Sequence, residues 1–542
     1  MNPSIRLPAP ALPAEASFMS RLAAADPGRI AIIDLARERP VRFTFAELDA
    51  WAERTAQGLL DRGVRPGENV AFILPNGWEF VVLSVAIWKI GAVVCPMLPA
   101  LREREITFIV NRSRSRILIA PEEYHGFRYG PMIEAIRKDM PRLESTVAVA
   151  AGGPAAHWTG LGGLASAPAD RAALAKVKPA PDAMAQLLFT SGTTGEPKGV
   201  LHSMTTLSHG LDSHARVLRL TGSDRIWVPS PMGHQTGFLY GMMIALYLGA
   251  PQICQPSWNT ELARRAVERE GATFVQAAMP FLADLAALVR PPRGLRKFVA
   301  TGAAVPRQLA REAGEALGCS VIGGWGSTES CLVTVGHASA QPTADEAHWK
   351  SDGRVIPGME MVVRDAEGRP LPDGQEGHFW VKTPAMFVGY LDHPEWYESA
   401  LDADGFFDTG DLAALDADGH LHIKGRLKDV INRGGEKIPA AELEDILYQF
   451  DAVRQAAIVA MPDARLGERI CAYIAPKDPD RAPSKEEIIA FFKGKGVTKI
   501  YWPEHIEYLE RLPTTASGKV QKYLLRQMIA EKVRQPEFRL GG

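Results

Sequence analysis

Leu187-Leu188-Phe189-Thr190-Ser191-Gly192-Thr193-Thr194-Gly195-Glu196-Pro197-Lys198-Gly199 carries an apolar strand straight into a loop of three glycines, four hydroxyls and one lysine. Glycines let backbone N–H groups turn toward an anion without a Cβ clash. The hydroxyls add donors and Lys198 adds charge. Pro197 stands where a GxxxxGK[ST] phosphate loop requires its second glycine, so this is a different phosphate loop. The competing reading is a polar surface loop. Around this segment, strand-like runs (Val70 to Leu74, Ile117 to Ala120, Phe298 to Thr301) alternate with helical runs (Thr260 to Glu270, Pro306 to Ala316). Such alternation predicts an α/β fold with largely parallel sheets.

The chain has 542 residues, enough for more than one domain. Lys+Arg number 61 and Asp+Glu 63, giving a net charge of −2, which argues against a nucleic-acid binder. Five cysteines, none in CxxC spacing, point to a reducing, cytoplasmic setting and to buried packing rather than disulfides or zinc. The N-terminus lacks the apolar core of a signal peptide. Phe80 to Leu98 is interrupted by Lys89 and Gly91 and reads as a helix followed by a buried strand. Phe238 to Ala250 is apolar but only 13 residues long, too short for a membrane span. It reads as a buried helix. Ala151 to Ala185 is rich in Ala, Gly and Pro, and most of it reads as surface connection. From about residue 353, Asp-Gly turns at 373–374, 404–405 and 418–419 predict a small β subdomain with hairpins. Past Arg426 a smaller α+β unit is expected: a helix over Ala441 to Phe450, a strand over Ala456 to Ala460, a helix over Lys485 to Lys493 and a polar tail.

The phosphate loop resembles that of the acyl-adenylate-forming enzymes, which include acyl-CoA synthetases, carrier-loading adenylation domains and luciferases. Further motifs in family order extend the resemblance over roughly residues 30 to 525. They are Thr301-Gly302-Ala303-Ala304, Gly323-Gly324-Trp325-Gly326-Ser327-Thr328-Glu329, Phe407-Asp408-Thr409-Gly410-Asp411, Gly425-Arg426-Leu427-Lys428-Asp429 running on to Gly434-Gly435-Glu436, and Pro513-Thr514-Thr515-Ala516-Ser517-Gly518-Lys519.

The resemblance implies ATP, Mg²⁺ and CoA as cofactors and a small carboxylic acid as substrate. It places Thr190, Ser191, Gly192, Thr193, Thr194 and Lys198 around the phosphates. Gly302, Ala303, Ala304, Gly324, Trp325 and Gly326 border the adenine and the acyl group. Thr328 touches phosphate, Glu329 binds the metal, Asp411 grips the ribose and Arg426 contacts ribose or phosphates. Lys519, His234, Thr194 and Glu329 are the implied catalytic set. Lys428 falls at the hinge, and Gly434 and Gly435 lie along a pantetheine tunnel. Residues 1–426 form the large domain and 427–542 a small mobile one.

The chain departs from the family at three points. Trp325 stands where Tyr or Phe is usual, and Gln235 follows His234 where hydroxybenzoate-activating relatives have Asn. Pro439 falls immediately after Ile438, with Ala440 in the usual proline position. The whole chain looks most like synthetases for cyclohexanecarboxylate, related cyclic acids and short- to medium-chain acids. A free-standing carrier-loading enzyme and a catalytically dead nucleotide-binding regulator are the alternatives. The chain stops soon after Lys519, which favours CoA over a carrier domain. By its motif, Lys519 is also an expected target of a lysine acetyltransferase and deacetylase, since acetylation removes its charge.

Overall fold

The computed structural model describes residues 26–36, 39–149, 161–166, 168–180, 182–190, 197–302, 307–336, 350–434, 436–515 and 518–535. Two mixed sheets, each with a parallel centre, build the large part of the molecule. In the first, Ile30–Asp34, Gln252–Cys254, Ile226–Val228, Phe274–Ala277, Lys297–Ala300 and Ser320–Ser327 lie side by side in parallel. Val41–Thr44 caps one edge antiparallel, and Cys331–Val335 and Arg354–Val355 cap the other. In the second sheet, Met184–Thr190, Val93–Met97, Asn69–Ile73, Ile117–Pro121 and Ser145–Val149 are parallel. Lys198–Ser203 and Gly389–Tyr390 complete its edge antiparallel. The motif segments leave the carboxyl ends of these strands: Thr190 from one sheet, Thr301 and Ser327 from the other. Open α/β sheets bind ligands at such ends.

The β subdomain is a four-stranded antiparallel sheet of Glu360–Arg364, Gly377–Lys382, Phe407–Leu415 and Leu421–Arg426. Gly374, Gly405 and Gly419 each have φ near +80°, the conformation their Asp-Gly turns require. The C-terminal lobe has its own sheet, in which the strand pair Val453–Asp463 and Gly467–Pro476 is flanked by Val430–Arg433, Glu436–Pro439 and His505–Tyr508. The expected helices and strand of this lobe appear as Ala440–Tyr448, Lys485–Gly494 and Val453–Asp463.

The structure departs from the sequence reading in three places. The tail is not merely polar: Lys522–Val533 is a helix that buries Leu525 and Ile529 against Val459, Met461 and Tyr473. Leu525 and Ile529 are not distinguished by the sequence from Leu524 and Met528, which lie in the same helix without being buried. Leu161 and Leu164, read as surface connection, are fully buried against the helix Phe45–Asp61. Gly58 makes the room, since a Cβ there would fall 1.7 Å from the Leu164 carbonyl oxygen. The run from Phe238 is a buried helix as expected, but Phe238–Met243 is a π-helical stretch before Ile244–Leu248 returns to α.

Among the described residues, no helix is long and apolar enough to cross a membrane. Trp78–Lys89 is buried along almost its whole length, which is why it reads as a continuous apolar run. Lys89 ends it in the interior, with its ammonium 2.9 Å from Asp49 Oδ1 and 3.9 Å from Glu53 Oε1 on the neighbouring helix. Replacing Lys89 with Met takes the ammonium from buried Asp49, while Glu53 keeps its pair with Arg171 at 2.7 Å. We expect Lys89→Met to cost about 3–5 kcal/mol, the usual loss on removing one partner of a buried pair. The measurement is the first transition in urea unfolding, and an unshifted midpoint would refute it.

Candidate active site

Thr190 closes the apolar strand and pairs in register with Lys198 across the loop. Ser191, Gly192, Thr193 and Thr194 lie outside the described residues, as do Ala303, Ala304 and Gly435. Lys198 is half-buried, and its ammonium sits 4.9 Å from the ring centre of Tyr390 and 5.2 Å from that of Trp396. Among the described residues no carboxylate comes within ion-pair distance of it.

The strand Ser320–Ser327 carries Gly324, Trp325 and Gly326 into the cleft and turns at Thr328 and Glu329. The two glycines serve packing as much as any ligand. A Cβ on Gly324 would fall 2.9 Å from the Thr334 carbonyl, and one on Gly326 2.4 Å from that of Cys331. The close approach they permit is to the next strand. Buried His202 anchors the turn: its Nε2 lies 2.7 Å from the Thr328 carbonyl, and burial holds its pKa down to about 4. A carbonyl only accepts, so Nε2 carries the proton. The Glu329 carbonyl accepts from the Phe387 N–H at 2.7 Å, and its Oε1 accepts from the Tyr390 hydroxyl at 3.0 Å. Among the described residues Oε2 has no partner. One hard, partly free carboxylate that shares Tyr390 with Lys198 fits Mg²⁺, which takes few protein ligands and fills its shell from substrate phosphates and water.

Asp411 is the most strongly held group. It is 6% exposed, with Oδ2 accepting from the Trp325 indole N–H at 2.8 Å and Oδ1 3.1 Å from Arg426 Nε. Burial raises its pKa, while Arg426 and Trp325 oppose that rise. A carboxylate has about four acceptor sites, so two remain for a ligand's hydroxyls. Trp325 meets Phe379 edge-on at 4.7 Å, fixing the indole plane.

Lys519 reaches this cleft from the C-terminal lobe. Its loop is pinned by the Lys519 N–H on Thr515 Oγ1 and by the Thr515 N–H on the Lys519 carbonyl. Gly518, at φ +84°, rests on the large lobe, with its Cβ direction 3.4 Å from Ala278 and 3.7 Å from Phe281. Water reaches the Lys519 side chain, although protein surrounds it on most sides. That enclosure, and next the charge of Arg426, lower its pKa to about 8; Asp411 and Asp429 oppose the shift. His234 is half-buried, and burial followed by the charge of Lys519 lowers it to about 4. Its Nδ1 accepts from the Thr236 N–H at 3.3 Å, which puts the proton of the neutral ring on Nε2. Gln235 beside it is buried and committed: its Oε1 accepts from Gln186 Nε2 at 2.9 Å.

Other expected residues stand apart or are seen only as backbone. Gly302 has φ +93° and open space at its Cβ position. Lys428 lies in the single 3₁₀ turn Leu427–Asp429 between the β subdomain and the C-terminal sheet. Gly434 turns at φ +61° on the exposed hairpin tip, its N–H on the Leu466 carbonyl. All five cysteines are buried and free, with their thiols pushed up by burial. Tyr390 and His202 went unnoticed in the sequence. Each touches the Thr328–Glu329 turn only through tertiary pairing, from 61 and 126 residues away.

Residues 19–391 match the family model for AMP-binding enzymes, and residues 442–519 match that for the AMP-binding enzyme C-terminal domain. The medium-chain fatty-acid–CoA ligase of Escherichia coli K12 is 36% identical, with 96% of this chain and 91% of that one aligned. The 2,3-dihydroxybenzoate-AMP ligase of Bacillus subtilis 168 is 31% identical over 91% and 90%. ATP-bound MatB from Rhodopseudomonas palustris, 26% identical, superposes with a TM-score of 0.84, covering 95% and 99% of the two chains. Its apo form, aligned over the same shares, gives 0.73 at 25% identity. The match is therefore closer to the ATP-bound form, in keeping with Lys519 standing beside Asp411 and Arg426. The chain belongs to the AMP-binding enzyme family and is an ATP-dependent, adenylate-forming acid–thiol ligase.

Proposed function

We propose that this chain converts a medium-chain or compact cyclic carboxylic acid into its CoA thioester, through an acyl-adenylate. The observation that carries the reading is the placement of the Lys519 ammonium in one cleft with Asp411, Arg426 and neutral His234. A carboxylate and the α-phosphate of ATP repel each other. Lys519 between them supplies the charge that lets them approach, and orientation in a closed cleft supplies the rest. The carboxylate oxygen attacks the α-phosphorus, and the bond to pyrophosphate breaks. Asp411 holds the ribose, Trp325 flanks the adenine, and Thr190, Lys198 and Thr328 engage the phosphates. Glu329 would hold Mg²⁺, which when bound would supply positive charge beside the pyrophosphate. A thiolate then attacks the acyl carbon, and the bond to AMP breaks. No protein nucleophile takes part, consistent with five inert, buried cysteines. For this second step residues 427–542 turn at Lys428, carrying Lys519 out and bringing Gly434 and Gly435 to the thiol.

The acid class rests on two supports. The relative at 36% identity is a medium-chain fatty-acid–CoA ligase. Gln235, next to His234, is bonded to Gln186 instead of being free to read a ring hydroxyl. The second reading, an aryl acid loaded onto a carrier protein, takes its support from the 2,3-dihydroxybenzoate-AMP ligase at 31%. AMP release with CoA should be measured across cyclohexanecarboxylate, benzoate, hydroxybenzoates, hexanoate, decanoate and palmitate. A preference for the cyclic or medium-chain acids supports the proposal. Adenylate formation without AMP release points to a carrier acceptor.

The two half-reactions separate by mutation. Lys519→Ala should abolish adenylate formation, by about a thousandfold or more for a lost transition-state charge, while sparing thiolation of a supplied acyl-adenylate. Gly435→Leu should do the reverse. Acetylated Lys519, whatever enzymes install and remove the group, should behave as Lys519→Ala does. Equal loss of both steps in each variant would refute the domain rotation.

Lys519 must be protonated to bridge two anions, and its pKa is lowered to about 8. Adenylation kcat/KM, which reports the free protein, should therefore fall as pH rises through about 8. Bound anions favour the ammonium and push its pKa back up, so the limb in kcat should lie higher. Lys519→Arg, slower overall, should move the kcat/KM limb beyond pH 9, because arginine stays charged. An unmoved limb would assign that titration elsewhere.

A further inference from the structure

Lys198 and Glu329 carry opposite charges into the same cleft, and tyrosine stands between them. The Tyr390 hydroxyl donates to Glu329 Oε1 at 3.0 Å, while the face of the same ring lies 4.9 Å from the Lys198 ammonium. The ring is negative on its face and positive at its edge and hydroxyl, so one side chain satisfies both charges without neutralising either. A direct Lys198–Glu329 pair would leave both groups occupied with each other. Tyr390 itself cannot wander. It is buried, its strand pairs Tyr390 with Val200 two residues beyond Lys198, and Phe387 packs edge-on against its ring at 4.7 Å. Trp396 supplies the second face over Lys198 at 5.2 Å. It is locked in turn by His393, whose ring stacks on it at 3.7 Å.

We infer that Tyr390 is a positioning residue for the nucleotide half-reaction: its hydroxyl aims Glu329 at the metal, and its ring, with that of Trp396, holds Lys198 charged and uncommitted for the phosphates. The inference rests on the nucleotide reading of this cleft given above.

The test uses the full chain and calorimetric titration without acid, with ATP alone and with ATP plus Mg²⁺. Tyr390→Phe removes the hydroxyl and keeps the ring. It should raise the Mg²⁺ concentration for half-saturation about tenfold, the worth of one hydrogen bond to a charged group. Metal-free ATP affinity should stay within about twofold, since the ring–cation contact survives. Trp396→Leu should do the opposite, weakening metal-free ATP binding about fivefold while leaving the Mg²⁺ requirement in place. Tyr390→Leu should show both losses. In each variant thiolation of a supplied acyl-adenylate should fall less than adenylation does. An unchanged Mg²⁺ requirement in Tyr390→Phe overturns the inference. So do parallel losses in both half-reactions together with a lowered melting temperature, which would mark Tyr390 as packing alone. Failure of the unsubstituted chain to bind ATP with Mg²⁺ would instead overturn the nucleotide reading, and this inference with it.

Discussion

Two anions must meet in one cleft, and that requirement shapes everything around it. The cleft needs cations, yet a cation already neutralised by a buried carboxylate has little left to offer a substrate. The fold meets this by giving each charge a different kind of partner. Lys198 lies over aromatic faces, Lys519 stands in reach of Asp411 and Asp429 with no ion pair to either among the described residues, and Arg426 is paired to Asp411. Charge left uncommitted in a partly enclosed site acts more strongly than the same charge in bulk water.

Gathering positive charge has a cost, borne by the pKa values of the groups involved. Lys519 is lowered to about 8 by its surroundings and by Arg426, and His234 to about 4 by burial and by Lys519. Burial is the larger cause of each shift, and the next comes from a charge on the other lobe, so that part belongs to this arrangement of the lobes. A rotation that withdraws Lys519 removes its field from His234 and the field of Arg426 from Lys519. On the proposed rotation the small lobe carries a movable charge, and in this structure Gly518 at φ +84° against Ala278 and Phe281 is where it seats.

Packing and chemistry share the same residues. Gly324 and Gly326 belong to a nucleotide motif by their spacing, but the atoms that forbid a side chain there are carbonyls of the adjacent strand. Trp325, a departure from the usual Tyr or Phe, places an indole N–H on Asp411, a bond that Phe does not offer. The larger ring therefore contributes to holding the buried carboxylate as well as presenting a stacking face.

The sequence by itself determined the α/β class and, through its resemblance to the adenylate-forming enzymes, the two-lobed plan and the motifs that assign Asp411, Glu329, Lys198 and Lys519 to one site. Those signals are local: a strand followed by a glycine-rich turn is written in consecutive residues, and its backbone chemistry needs no distant partner. What only the tertiary structure decided is how the charges are held. Tyr390 bridging Lys198 and Glu329, His202 on the Thr328 carbonyl and Lys89 between Asp49 and Glu53 all join residues far apart in the chain. The buried leucines near Gly58 and the helix Lys522–Val533 were equally silent, because a contact's depth depends on what packs over it. Spacing along a chain encodes local geometry; the environment of a charge is set by atoms that spacing does not order.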